Sequence, residues 1–235
     1  MPRESREEWK TYKNVFDQAA ILNLEKLRSE GHFDELVSPI ALGKEANIFT
    51  ARKGEDLVIV KIYRLENCNF NQMYRYISPD PRFAGLKKRR RLIIFAWVQR
   101  EYRNLLKSRE VIRVPMPITV KDNVLVMEFI GRKDHPALKL KDDHPSNPKK
   151  FFEKTIKDIK SLYKAGLVHA DLSEFNILNF EEEPVFIDLS QTTTSEHPQA
   201  REFLERDVHN VVKFFKKLGV KADEEEVLDS IVKKK

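Results

Sequence analysis

Apolar positions along this chain follow two rhythms. In five stretches they recur at three- and four-residue spacing, as one face of a helix requires. The first covers residues 6–29, with Trp9, Tyr12, Phe16, Ala19, Ala20, Leu24 and Leu27 on one stripe. Ser5 and Glu8 form a capping box at its start, and Gly31 stops it. The second covers 86–109, through Leu92, Phe95, Val98, Tyr102, Leu105 and Leu106. The third begins at a Ser146 or Asn147 cap, runs through Phe152, Thr155, Ile156, Ile159, Leu162 and Tyr163, and ends at Gly166. Two more close the chain, near 198–218 and 223–232.

Elsewhere short apolar runs are bounded by turn residues and predict strands over 37–42, 47–52, 57–63, 116–120, 124–130, 176–180 and 184–189. The first five lie close enough in sequence to pair antiparallel. Residues 66–85 show no clear period. Asn67, Asn69, Asn71, Pro79, Pro81 and Gly85 predict a long mobile loop there, and a loop of that length is usually functional. Five strands with one inserted helix make a small lobe, and the helical remainder makes another. The resulting expectation is an α+β chain in three parts: an N-terminal helical extension over 1–36, an N-lobe over 37–131 and a reduced helical C-lobe over 132–235. A cleft between lobes is where chemistry belongs.

Composition removes several classes. The chain has 235 residues, enough for a sizeable core. Its longest apolar run, residues 92–98, is far short of the ~20 a membrane span needs, so no membrane partner is expected. One cysteine, Cys68, excludes an internal disulfide and a cysteine-cluster zinc site. A reducing, cytoplasmic location is the expectation. Seven glycines stand apart from one another, which excludes both the G-x-G-x-x-G loop and the Walker A loop. The net charge of +6 fits an acidic partner, although on so highly charged a chain it also fits a plain soluble surface.

Four features then fall in an informative order. Lys61 lies on the apolar strand Val58 to Tyr63, and Glu101 in the middle of the helix that follows. His169-Ala170-Asp171-Leu172-Ser173-Glu174-Phe175-Asn176 lies between a helix stop and a strand, and Asp188 ends the run Val185-Phe186-Ile187. Each has an ordinary explanation alone, as an edge residue, a helix-surface residue or a turn former. Together they are the protein-kinase signature set. Phosphoryl transfer needs a cation on the α/β-phosphates and an anion to hold it, which Lys61 and Glu101 supply. It needs a carboxylate at the nucleophile, Asp171, and oxygen ligands for Mg²⁺, Asn176 and Asp188. These residues predict a protein-kinase-like two-lobed fold that uses ATP and Mg²⁺.

The turn Gly43-Lys44-Glu45-Ala46-Asn47-Ile48, the loop Leu167 to Asn176 and the strand end Ile187-Asp188-Leu189-Ser190-Gln191 resemble the RIO family of atypical serine/threonine kinases. They match its type-one subfamily best, over about 37–220, and point to an archaeal source. The resemblance implies that residues 43–48 form the phosphate loop around a single glycine. It also implies that Met127 stands at the back of the adenine pocket, with the backbones of Glu128 and Ile130 on the adenine edge. ATP and Mg²⁺ are the implied cofactors, with Mn²⁺ as a substitute. Phosphoryl transfer onto Asp188 and a role in small-ribosomal-subunit maturation are further implications. Only 47 residues follow Asp188, and no Ala-Pro-Glu anchor or peptide platform is recognisable among them. This favours autophosphorylation or ATP hydrolysis as a switch, with the protein substrate left unnamed.

Lys87, Lys88, Arg89, Arg90 and Arg91 oppose the dipole of the helix that they open, which tilts them from a solvated face toward ribosomal RNA or nucleotide phosphates. Ser78 is the autophosphorylation candidate of the 66–85 segment, which is expected to order on ATP binding. Two rival readings remain at this point. One is a small-molecule phosphotransferase of the aminoglycoside or choline kinase kind, which shares H-x-D-x-x-x-x-N. The other is a catalytically silent scaffold on ribosomal RNA.

Overall fold

A computed structural model describes residues 16–233 apart from 67. Its centre is an antiparallel sheet in the order β1-β2-β3-β5-β4. The strands are β1 (Glu35–Leu42), β2 (Ala46–Lys53), β3 (Asp56–Tyr63), β4 (Pro117–Lys121) and β5 (Val124–Glu128). Strand alternation decides what each face carries. Val58, Val60 and Ile62 of β3, with Val124 and Val126 of β5, are buried against Ala20, Leu24 and Leu27 of helix α1 (Gln18–Ser29). The intervening residues Lys61, Tyr63 and Leu125 therefore face the other side, where helix α3 (Arg90–Ser108) lies. A sheet covered on both faces is how a lysine on an apolar strand comes to be buried rather than solvated.

The C-lobe contains α4 (Pro148–Lys164), α5 (Ala200–Lys217) and α6 (Glu224–Val232). Between α4 and α5 lie β9 (Leu167–Val168), β10 (Ile177–Phe180), β11 (Glu183–Phe186) and β12 (Thr193–Thr194). β6 (Gly131–Arg132), β7 (His135–Pro136) and β8 (Leu138–Lys139) join the lobes, and β8 pairs with β10. Asn147 caps α4 by accepting the Lys150 N–H, as expected. Among the described residues no helix is long and apolar enough to cross a membrane.

Three sequence expectations need correction. Residues 66–85 are not one loop: they hold helix α2 (Phe70–Ile77) and a 3₁₀ turn (Pro81–Phe83). Asn69 is not a loop residue but the N-cap of α2, accepting the Gln72 N–H at 3.2 Å. Met73, Tyr76 and Ile77 supply its buried face. Ser78 is the exposed C-cap of that helix. Second, the helix expected from 86 begins at Arg90. Lys87 and Lys88 precede its N-cap Arg89, which leaves Arg89, Arg90 and Arg91 at the unfavourable end of its dipole. Third, the stripe over 6–29 is not one helix, because Asp17 is extended (φ −75°, ψ 163°) and caps a fresh start at Ala20 N–H. The Ser5–Glu8 box, Trp9 and Tyr12 lie outside the described residues.

Candidate active site

β3 and α3 deliver the first pair. Lys61 Nζ donates to Glu101 Oε1 at 2.8 Å and to Asp188 Oδ1 at 2.9 Å. Glu101 is held from its other oxygen by the Tyr63 hydroxyl at 2.5 Å. Tyr63 shares the Lys61 face of β3, two residues on. Burial alone would lower the Lys61 pKa, but the Asp188 and Glu101 carboxylates outweigh it and raise it well above the usual lysine range. Burial pushes the Glu101 carboxyl up against the pull of Lys61. The crowded surroundings of Asp188 would raise its pKa, but Lys61 and a 3.0 Å hydrogen bond from Ser190 Oγ hold it below the usual range.

The loop after β9 delivers the second group. Ala170 has φ +67°, a left-handed conformation that costs a non-glycine residue roughly 1–2 kcal/mol. Both of its backbone groups are held. Its N–H donates to Asp207 Oδ2 at 2.8 Å, and its carbonyl accepts from Arg206. Asp207 Oδ1 also accepts the Leu172 N–H at 2.8 Å, so one buried carboxylate on α5 grips the chain on both sides of Asp171. Burial pushes the Asp207 pKa up to about 7, against those two hydrogen bonds.

Asp171 itself accepts from Gln191 Nε2 at 3.0 Å, and Asn176 Nδ2 donates to its backbone carbonyl at 2.8 Å. Burial, then the Asp188 charge, push its pKa up to about 6, with Arg206 opposing. Because its amide nitrogen is used in this way, Asn176 keeps its oxygen for another partner. Asp188 also sits at positive φ (+59°), which Asp tolerates better than most residues.

The turn between β1 and β2 is the third part of the candidate site. Gly43 N–H donates to the Ala46 carbonyl at 3.0 Å. A Cβ at Gly43 would stand 2.8 Å from that carbonyl oxygen, so the close approach demands glycine. Lys44 and Glu45 are exposed at the tip, Asn47 is buried and Ile48 half-buried. Burial, and after it the Asp188 charge, raise the Glu45 carboxyl, with Lys61 opposing. At the hinge, Met127 is partly buried and pairs with Ile59. Glu128 donates its N–H to Met116 O at 2.8 Å, and its carboxylate is tied to Arg113 at 2.6 Å. The Ile130 carbonyl accepts the Ala137 N–H at 2.9 Å. Lys87 to Arg91 are exposed; Arg90 donates to the Glu66 carbonyl and Lys88 lies 4.8 Å from the Tyr74 ring centroid.

The donor set fits Mg²⁺. A carboxylate and a free amide oxygen are hard ligands, and Mg²⁺ completes its shell with phosphates and water. Among the described residues no group of three or more His, Cys, Asp or Glu could hold a metal, and such a site does not require one.

His169 is buried, with Nε2 3.1 Å from the Ile187 carbonyl. That contact ties the Asp171 loop to the strand end before Asp188. Burial lowers its pKa from 6.5 to about 4. The unfolded chain then binds the proton more tightly, so this contribution is complete above pH 6.5 and is lost as pH falls toward 4. Its size is at most about 3 kcal/mol, at 1.36 kcal/mol per unit. Urea unfolding between pH 7 and 4.5 is expected to show a steeper loss in the wild type than in His169→Gln, and equal slopes would refute it.

Sequence reasoning missed Tyr63, Asp207, Arg100 and Asn104. Asp207 had a signal, since it falls on the apolar stripe Phe203, Leu204, Val208 and Val211 of its helix.

A family model described as the RIO domain matches residues 47–227. The Rio1 serine/threonine-protein kinase of Methanocaldococcus jannaschii is 43% identical over 219 residues, covering 93% of this chain and 76% of that protein. The Rio1 kinase of Haloferax volcanii is 41% identical, covering 95% and 78%. Human RIO1 is 37% identical and is covered over only 38% of its length. Among solved structures, the Rio2 kinase of Chaetomium thermophilum, a complex with ADP/Mg²⁺ and phosphoaspartate, superposes with a TM-score of 0.68 at 22% identity, covering 91% of this chain and 66% of that one.

Proposed function

This chain belongs to the RIO family of serine/threonine kinases, and from that premise we propose which residues carry its chemistry and where it acts. The kinase uses ATP and Mg²⁺. The observation that carries the assignment of roles is the direct contact of Lys61 with both Glu101 and Asp188. Lys61, fixed by Glu101, holds the α/β-phosphates of ATP, and the 43–48 turn covers them. Since the Glu128 N–H and the Ile130 carbonyl are already bonded, the adenine edge meets the Glu128 carbonyl and the Ile130 N–H, with Met127 behind. Asp188 and the Asn176 oxygen hold Mg²⁺, for which Mn²⁺ substitutes. The metal, when bound, neutralises charge on the transferred phosphoryl group. Asp171 accepts the proton of an attacking seryl or threonyl hydroxyl.

Asp188 is itself a phosphoryl acceptor in this reading. Its oxygen attacks the γ-phosphorus, the bond to the β–γ bridging oxygen breaks, and ADP leaves with that electron pair. A carboxylate held ionised below the usual range is ready for this without a base. The similar Chaetomium kinase was solved with phosphoaspartate, which supports the reading. Transient phosphorylation and release would serve late maturation of the small ribosomal subunit in the cytoplasm. The pre-subunit particle is the partner, and Lys87 to Arg91 are the contact to its RNA. The intact Lys61, Asp171, Asn176 and Asp188 weigh against a silent scaffold, and no observation favours a small-molecule acceptor.

Incubation with γ-labelled Mg-ATP, with and without pre-subunit particles, tests this. Wild type is expected to acquire label that neutral hydroxylamine removes and that Asp188→Asn lacks. Label that resists hydroxylamine, and nothing else, would overturn Asp188 as acceptor. Particle binding unchanged by charge reversal at 88–91 would remove the RNA contact.

A further inference from the structure

α3 does more than present Glu101. Arg100, the residue before Glu101, and Asn104, one turn beyond Arg100, are both fully shielded from solvent. Neither hydrogen-bonds Lys61, Asp171 or Asp188. Asn104 Nδ2 donates to two backbone carbonyls at once, Leu189 O at 2.9 Å and Thr192 O at 2.8 Å. Arg100 donates to Thr192 O at 3.0 Å and reaches Gln191 O at 3.4 Å. These carbonyls belong to the four residues that directly follow Asp188. Ser190 within that segment donates to Asp188, and Gln191 donates to Asp171.

Two further side chains fix the grip from outside. Arg82 donates to Asn104 Oδ1 at 3.1 Å, which orients the carboxamide so that both of its N–H groups face the carbonyls. The same guanidinium binds both oxygens of Asp80, at 2.6 to 3.1 Å. Asp80 Oδ2 lies 3.6 Å from Arg100 Nε and offsets the buried charge there. Tyr76 and Trp97 offer their ring faces to Arg100, each with its centroid 5.5 Å away. The Arg100 Nη1 has no hydrogen-bond partner, so this cation is tolerated at a cost that plain packing would not need.

We infer that Arg100 and Asn104, oriented by Asp80 and Arg82, are positioning residues for Asp188. They hold the backbone of residues 189–192 and thereby set Asp188 and Gln191 against the metal and Asp171. The inference rests on the reading of Asp188 as a metal ligand. It makes the 3₁₀ turn after α2 part of the catalytic apparatus, although that turn touches no reacting group. Backbone carbonyls are the right handle for this purpose, because they move with the main chain whatever the side chains of 189–192 are doing.

The test is steady-state kinetics of the whole 235-residue chain as a function of free Mg²⁺ at saturating ATP, with melting temperature measured in parallel. Arg82→Gln is the first variant, because Arg82 is partly exposed and its loss leaves no cavity in the core. Asn104→Ala is the second. Leu105→Ala, on the same helix but outside the cluster, is the control for plain destabilisation. Asp188→Asn controls the premise. Both cluster variants are expected to raise the Mg²⁺ concentration for half-maximal rate at least fivefold and to lower kcat, while nucleotide binding in EDTA stays within twofold. Leu105→Ala should lower the melting temperature without moving the Mg²⁺ dependence. A half-saturation point for Mg²⁺ that is unchanged in Arg82→Gln and Asn104→Ala, with rates that simply follow melting temperature, would overturn the clamp. If Asp188→Asn itself retains the wild-type Mg²⁺ response, it is the premise that fails.

Discussion

Asp171→Asn is expected to slow phosphoryl transfer to a seryl or threonyl hydroxyl by about 10²–10⁴-fold, the range for loss of a positioned general base. The substitution is close to isosteric. An amide oxygen at the Oδ2 position still accepts from Gln191, which stands 3.0 Å away, so the loop is not released. Asp207 keeps its hold on the Ala170 and Leu172 N–H groups. The loss therefore reports the missing charge rather than a misplaced backbone. Two signatures separate it from a folding defect. The wild-type rate should rise with pH through about 6, where Asp171 loses its proton, and the variant should lack that limb. Transfer onto Asp188 removes no proton, so hydroxylamine-sensitive label should be reduced far less than label on an added protein substrate. A variant within tenfold of wild type at pH 7.5, or one in which both acceptors fail equally, would refute the base assignment.

What could be read from the chain was what lies in a line. Lys61, Glu101, the His169 to Asn176 run and Asp188 were each identifiable because a residue type, a spacing and an element type coincide at one place. That the sheet is covered on both faces was not read, although β3 and β5 are nearly continuous apolar runs. Helix α2 was hidden by its own flanks. Asn69 and Asn71 at one end and Pro79 and Pro81 at the other read as turn formers, although Asn69 is a cap and the prolines lie beyond the helix. The spacing of Phe70, Met73, Tyr74 and Ile77 was present within eight residues, too short a window to outweigh them. Arg100 and Asn104 were invisible for a different reason. Their partners are main-chain carbonyls some 85 to 92 residues away, and every residue has a carbonyl. A polar side chain on a helix stripe marks such a position only as an anomaly. Asp207 is the same anomaly on α5, and its function became readable only when the loop it grips was in place.

Lys61→Met is expected to cost about 3–5 kcal/mol of stability as well as activity, because removing one member of a buried ion pair strands the other. Glu101 is the stranded group: its side chain is 1% exposed, and among the described residues only the Tyr63 hydroxyl, apart from Lys61, hydrogen-bonds its side chain. Without Lys61 its carboxyl, already raised by burial and pushed further by the Asp188 charge, keeps only the Tyr63 hydrogen bond to oppose that rise. A carboxyl whose folded pKa lies above its unfolded value loses stability as pH rises, so the deficit of Lys61→Met should be largest at neutral pH and shrink toward pH 5. The double variant Lys61→Met/Glu101→Gln removes the stranded charge and keeps an acceptor for Tyr63. Replacing a buried pair as a unit is often close to neutral, so its unfolding free energy should return to within about 1–2 kcal/mol of wild type. Its kinase activity should not return, because no cation then faces the α/β-phosphates. Urea unfolding of the four members of this cycle at pH 5 and pH 7.5 measures the coupling directly. If the double variant is as unstable as Lys61→Met, the pair is not the electrostatic unit that its 2.8 Å contact indicates. If it is stable and active, Lys61 is structural, and the phosphate-binding cation must be sought elsewhere in the cleft.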